Sequence, residues 1–256
     1  MVDNRAWRAL LRSHTNLYAG TAGVLPGMTV GMTQNLKSLL DYYETPRSDG
    51  ETIYGIWERG EAFNDSVTPS TYVPEYRTHV LLKFLSLIPE GSRIFSFGCG
   101  NAAVEGALVE HGRHVSAIDV CPEAVELACK KGVDATAADY FAISPDDVAG
   151  FDAIYADGFL GHLFDSVEEV GPILQKLKEL DLKSGTVLLF SNDAPPERDA
   201  SFTAHERVDN FWYLSKDYLA TRLADAGFEL LESYYFPYAR PLSGLRNRTI
   251  CVARVP

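Results

Sequence analysis

Two glycines, Gly98 and Gly100, follow the apolar run Arg93-Ile94-Phe95-Ser96-Phe97 and precede a helix-like segment from Ala102 to His111. A strand that feeds a tight turn and then a helix needs glycine where any side chain would hold a ligand away from the backbone. The next apolar run, Val115 to Ile118, closes on Asp119. That carboxylate lies roughly 20 residues past the first glycine, the spacing at which an acid takes the two hydroxyls of a ribose. The chemistry implied is the holding of a nucleoside-bearing cofactor.

The elements that must position these residues alternate. Candidate strands run over Ile94 to Phe97, His114 to Asp119, Val133 to Asp139, Phe151 to Ala156 and Gly185 to Ser191. Between them, Pro122 opens a helix with Glu123 and Glu126 early, Lys130 and Lys131 late and Gly132 as its stop, in keeping with the helix dipole. Ser166 and Glu169 have the spacing of a capping box for a helix running towards Leu180, with Gly171-Pro172 set to kink it or delay its start. Ser215 caps a further helix that stops at Gly227. This alternation predicts an α/β fold, a Rossmann-like, doubly wound and mostly parallel sheet. Phe228 to Phe236 and Arg248 to Val255 have no helix-length segment between them, so they form an antiparallel C-terminal hairpin.

Residues 1–74 differ in texture. They are rich in aromatics, show no strand-helix alternation, and have helical candidates at Asn4 to Leu17 and Thr33 to Tyr43 around the glycine-rich stretch Gly20 to Gly31. They read as a mainly helical cap on a core over 75–256. Within that core, 192–213 reads as a loop carrying Pro195-Pro196, Phe202, His205 and Phe211.

Composition narrows the partners. With 46% hydrophobic residues in 256, the chain can bury one sizeable core. A formal net charge of −12 disfavours a nucleic-acid backbone, whose binding needs a basic surface. No apolar run approaches the ~20 residues of a membrane span, and Met1-Val2-Asp3-Asn4 begins no signal peptide, so the expectation is a soluble cytoplasmic protein. The four cysteines lack metal-ligand spacing and read as buried thiols, with no metal site expected.

Taken together, Gly98-Cys99-Gly100, Asp119, Asp139-Tyr140, the run Phe151 to Asp157 and the final hairpin resemble a class I S-adenosylmethionine-dependent methyltransferase over roughly residues 75–256. The resemblance implies that Gly98, Gly100 and Asn101 meet the methionyl part of S-adenosylmethionine and that Asp119, with Val120 beside it, binds the ribose. It further implies that Asp139 accepts from the adenine amino group next to Tyr140 or Phe141. It implies as well that Ala156 to Gly158 line the gap between sulfonium and acceptor, that Arg77 reaches the cofactor carboxylate, and that residues 1–74 and the insertion over 192–213 cover the acceptor. Two positions depart from the family pattern: Ser96 stands where an acid is usual, and Ala102 where a third glycine is common.

Methyl transfer requires alignment and exclusion of water, and a base only when the acceptor holds a proton. His162, just past the fourth strand, is the first candidate for a base or substrate contact, against the alternative of a packing histidine. Asp157 is the second, against a loop-ordering carboxylate. Arg240, Arg246 and Arg248 form a basic cluster that either meets an acidic substrate or makes a solvated rim, and His205 reads as a surface histidine. Trp7, Tyr18, Tyr42 and Tyr43 read as packing residues, while Tyr54, Trp57 and Tyr72 divide between packing and substrate contact. The acceptor is a small-molecule metabolite on this reading, and the N-terminal helices suit pairing in a homodimer as well as capping. Two other readings stay open. Gly98-x-Gly100-x-x-Ala103 also satisfies a nicotinamide dinucleotide fingerprint, and the altered loop is compatible with a non-methylating S-adenosylmethionine binder.

Overall fold

The structure, a computed structural model, describes residues 39–47, 50–63 and 68–256. Its centre is a seven-stranded sheet in the order β3-β2-β1-β4-β5-β9-β8. The strands are β1 (Arg93–Phe97), β2 (His114–Asp119), β3 (Asp134–Ala137), β4 (Ala153–Asp157), β5 (Val187–Asp193), β8 (Glu229–Arg240) and β9 (Gly244–Arg254). The first five are parallel, and β9 runs antiparallel to both β5 and β8. Chain order reverses at β1, which has β2 on one side and β4 on the other, so a crevice opens where β1 ends.

Consecutive residues of each central strand serve opposite faces, as the pleat requires. Phe95, Ile154 and Leu188 join one buried cluster with α7 (Gly171–Glu179) and α8 (Lys216–Asp225). Their neighbours Ile94, Tyr155 and Leu189 join the other with α3 (Pro74–Leu87), α4 (Ala103–Glu110) and α5 (Pro122–Lys130). Burial on both faces is why these strands read as unbroken apolar runs. Each enclosed Leu or Phe contributes about 1.5–3 kcal/mol through loss of contact with water.

Local signals hold at several joints and fail at one. Ser215 accepts from the backbone N–H of Tyr218 and caps α8. The Ser166–Glu169 capping box is not formed. Glu169 adopts φ +58°, Asp165 accepts from the N–H groups of Val167 and Glu168, and α7 starts only at Gly171. Pro172 at the second helical position, with its fixed φ, delays the start as one of the two sequence options required.

The insertion after β5 carries a two-stranded ribbon, β6 (Phe202–Ala204) with β7 (Trp212–Leu214), too short to be seen in the sequence. Of the N-terminal region, residues 39–44 are helical, followed by α1 (Ile53–Glu58) and α2 (Pro69–Tyr72). The expected helix over Asn4 to Leu17, the Gly20 to Gly31 loop and residues 33–38 of the second helix lie outside the described residues. Cys99, Cys121 and Cys251 are buried as expected, whereas Cys129 is exposed. Among the described residues no helix is long and apolar enough to cross a membrane.

Candidate active site

The turn after β1 is held from both sides. Gly98 and Gly100 have φ of +66° and +54°, values L side chains rarely adopt. A methyl group on Gly98 would lie 2.7 Å from the Phe159 ring. The Gly98 N–H donates to Ile118 O at 2.8 Å, tying the turn to β2. Ala102 is also left-handed, at φ +53°, and precedes the first residue of α4. An alanine there costs about 1–2 kcal/mol of backbone strain, which explains why glycine is the easier residue at that point.

Asp119, at the tip of β2, is buried and accepts from the Gly100 N–H and the Cys121 N–H, one on each oxygen, both at 2.9 Å. Burial pushes its carboxyl up, and the backbone donors pull it back towards the charged form. The Val120 N–H and the Cys121 thiol also favour its charged form, which keeps Asp119 a hydrogen-bond acceptor.

Asn101 is fixed by its Nδ2 donating to Glu58 at 2.9 Å, while Lys131 Nζ bridges Asn101 O and Glu58, each at 2.5 Å. Trp57 covers the turn, its ring 3.7 Å from where a Gly100 Cβ would stand. Val120 packs into the same cluster as Tyr54 and Trp57. Trp57 is thus packed over the glycine turn, with the Tyr54 ring edge-on against it at 5.4 Å.

Ser96 does not leave the turn without an acid. Its hydroxyl donates to Glu105 Oε1 on α4 at 2.7 Å, and Glu105 is only 4% exposed. Burial, set against the Ser96 hydrogen bond, raises the Glu105 carboxyl to about 7. An acid at Glu105 was not apparent in the sequence because it lies on the far side of the turn.

Asp139 caps the short 3-10 turn Tyr140–Ala142 by accepting from the Phe141 N–H at 3.0 Å. Tyr140 is buried, stacks edgewise on Phe97 and Phe159, and donates to Ile173 O at 2.8 Å. Ala156 is fully enclosed on β4. Arg77, on α3, makes no ion pair among the described residues.

The carboxyl ends of β4 and β5 carry a buried charge network. Asp157 Oδ1 accepts from Arg248, Ser191 and Tyr76, and Asp193 accepts from Arg240, Arg248 and Tyr238. Arg240 in turn donates to Tyr238 at 2.7 Å and Tyr213 at 3.3 Å. The expectation of a solvated arginine rim therefore fails for two of its three members: Arg248 is 0% exposed and Arg240 is enclosed against Asp193. Charges buried together need such pairing, because water no longer solvates them. Asp157 Oδ2 is buried and has no hydrogen-bond partner.

His162 sits on α6 (Phe159–Leu163) with its Nε2 2.8 Å from the Tyr43 hydroxyl and its ring 4.7 Å from Phe211. Gly161 permits this approach. A Cβ there would stand 2.5 Å from Trp212 O and 2.7 Å from both Asn192 Oδ1 and Phe211. Burial, with His205 and Arg248 nearby, lowers His162 to about 3. His205 is not a surface histidine. Its Nδ1 accepts from the N–H groups of Arg207 and Val208 at 2.9 and 3.0 Å, and burial lowers it to about 4. Tyr43, read from the sequence as packing alone, also hydrogen-bonds the candidate histidine.

A glycine turn at the switch point, an acid at the tip of β2 and an antiparallel hairpin closing a parallel sheet define one class of enzyme. A family model described as Methyltransferase domain matches residues 71–233. The chain belongs to that family, as a class I S-adenosylmethionine-dependent methyltransferase. A tabtoxin biosynthesis enzyme from Pseudomonas amygdali pv. tabaci is 59% identical over 226 residues, covering 87% of this chain and 90% of that protein. Among solved structures, the 1,6-didemethyltoxoflavin-N1-methyltransferase of Burkholderia thailandensis superposes with a TM-score of 0.62 at 19% identity, over 91% of this chain and 93% of that one. Magnesium protoporphyrin IX methyltransferase from Synechocystis PCC 6803 gives 0.60 at 16% identity, over 92% and 100%. At these identities the structures share the fold.

The residues present fit S-adenosylmethionine. Asp119 is a buried acceptor beside the turn, and Gly98 leaves bare the position where a Cβ would stand 2.7 Å from Phe159.

Proposed function

We propose that the chain methylates a small-molecule acceptor. Gly98, Gly100 and Asn101 hold the methionyl part of S-adenosylmethionine, Asp119 and Val120 its ribose, Asp139 and Tyr140 its adenine, and Ala156 the floor beneath its reactive end. Because the Tyr140 hydroxyl already donates to Ile173, that residue contributes its ring. Arg77, with no ion pair, supplies a cation for the cofactor carboxylate. The bound cofactor supplies a methyl group on a carbon already activated by sulfonium.

The remaining work is orientation and exclusion of water. Asp157 is fixed through Oδ1 by Arg248, Ser191 and Tyr76, and its unpartnered Oδ2 accepts a hydrogen bond from the proton-bearing acceptor atom. His162 stays neutral at working pH and orients the acceptor as a contact, since a group lowered to about 3 takes up protons poorly. The aromatic wall of Tyr43, Phe211 and Tyr213 suits a flat small molecule. The net charge of −12 favours such a metabolite over nucleic acid and is in keeping with a cytoplasmic setting. The relative in tabtoxin biosynthesis supports an acceptor drawn from small-molecule biosynthesis.

The observation that carries this reading is the Asp119 carboxylate, which accepts from the Gly100 and Cys121 N–H groups beside a turn with glycine at 98 and 100. Thermal shift with S-adenosylhomocysteine against NAD tests it through binding linkage. S-adenosylhomocysteine raises the melting temperature and NAD leaves it unchanged; the reverse pattern establishes the nicotinamide reading. Formation of S-adenosylhomocysteine from S-adenosylmethionine with a metabolite extract then separates an enzyme from a binder.

A further inference from the structure

Three nitrogen donors around the aromatic wall have no acceptor. His205 Nδ1 accepts from two backbone N–H groups, so it carries no proton, and the neutral ring must hold its proton on Nε2. That Nε2 is buried and without a hydrogen-bond partner. Tyr43 keeps its phenolic proton, because burial raises its pKa well above the ordinary phenol range. The Tyr43 hydroxyl lies 2.8 Å from His162 Nε2; in the tautomer where it donates there, the His162 ring proton stands on Nδ1, which is also buried and unpartnered. The third donor is Arg246 Nε, again buried and unpartnered, on a side chain with no ion pair among the described residues.

The three share two rings. His162 and His205 both pack on Phe211, at 4.7 and 5.8 Å, while His205 and Arg246 both lie against Tyr213, at 4.9 and 5.7 Å. An unmade hydrogen bond to a buried donor costs about 1–3 kcal/mol, and three such donors gathered without an acceptor call for one from outside the chain.

We propose that His162 Nδ1, His205 Nε2 and Arg246 form a subsite for a carboxylate of the methyl acceptor. This rests on the methyltransferase reading above and narrows its substrate to an aromatic or otherwise flat monocarboxylic acid. The charge balance selects a monoanion. Arg240 and Arg248 are neutralised by Asp193 and Asp157, leaving Arg246 as the guanidinium without an ion pair in this cluster. Burial lowers the pKa of both histidines, which supports neutral rings rather than further cations. Water does not reach these nitrogens in the structure, so the ligand enters as its cover opens, and Tyr43, bonded to His162, belongs to that cover.

The test uses benzoate and benzamide as matched probes on the full chain loaded with S-adenosylhomocysteine, read by proton–nitrogen correlation of the histidine side chains. Benzoate is expected to bind saturably, to shift the His162 Nδ1 and His205 Nε2 signals, and to bind about tenfold more tightly than benzamide. Arg246→Gln is expected to remove that preference while leaving affinity for S-adenosylhomocysteine unchanged. No saturable benzoate binding, equal affinity for the two probes, an unchanged preference in Arg246→Gln, or benzoate binding that leaves both imidazole signals unmoved overturns the subsite. Failure of the unmodified protein to bind S-adenosylhomocysteine overturns instead the methyltransferase reading beneath it.

Discussion

Ser96 on β1 and Glu105 on α4 are joined by a 2.7 Å hydrogen bond that spans the cofactor turn. The bond clamps the two elements whose separation sets the shape of Gly98 to Ala102. Because Glu105 titrates at about 7, against about 4.5 for an ordinary glutamate, the folded chain holds a proton there that the unfolded chain has lost. Stability from this group is therefore complete below pH 4.5 and declines as pH rises towards 7. Glu105→Gln is expected to remove that decline, a relative gain of roughly 3 kcal/mol at pH 8 over pH 4.5. Urea unfolding of both forms at the two pH values checks it.

The two histidines act in the opposite direction. His162 and His205 are kept neutral in the fold, so the unfolded chain takes up protons first as pH falls below about 6.5. Stability from both is expected to be present above that value and to decline towards pH 4. In turnover, His162→Ala is expected to lower kcat without removing any limb near pH 6.5 from the rate profile. A limb lost with that substitution would make His162 a base.

Gly161→Ala places a methyl group 2.5 Å from the Trp212 carbonyl oxygen, which is backbone and cannot swing aside. The expected cost is about 1–3 kcal/mol, with displacement of His162 from Phe211. Loss of the close imidazole–phenyl contact is visible as a change in the His162 ring shifts, alongside a lower Tm.

Asp119→Ala leaves the Gly100 and Cys121 N–H groups without their acceptor and removes the carboxylate proposed to take the ribose. Charge-assisted hydrogen bonds are each worth about 1.5–3 kcal/mol. The expected loss in affinity for S-adenosylhomocysteine, by calorimetry, is on the order of a hundredfold or more.

Arg248→Met leaves Asp157 and part of Asp193 buried without their cation. Breaking one side of a buried pair costs about 3–5 kcal/mol. Arg248→Met combined with Asp157→Asn is expected to recover part of this, which equilibrium unfolding of the single and double variants measures.

The parallel strands are legible in the sequence because both their faces are buried, so their residues are continuously apolar and bounded by glycine and proline. The terminal hairpin is legible from the missing helix between its strands. Arg240 and Arg248 are not, since arginine is ordinarily a surface residue and their partners Asp157 and Asp193 stand 91 and 47 positions away in their hydrogen bonds. The Tyr43 contact with His162 is hidden for the same reason, spanning 119 positions. The failed Ser166–Glu169 box shows a tertiary contact overriding a local motif, because the Glu169 carboxylate is taken by the Tyr218 hydroxyl at 2.8 Å.

β9, among the last residues of the chain, lies inside the sheet between β5 and β8 rather than at its margin. It also brings Arg248 to Asp157, which has no other cation among the described residues, and to Asp193 beside Arg240. β8 joins the sheet only through β9. Pairing of β9 and delivery of the Arg248 cation to Asp157 are one event, so the outer strand and the buried charge are secured together.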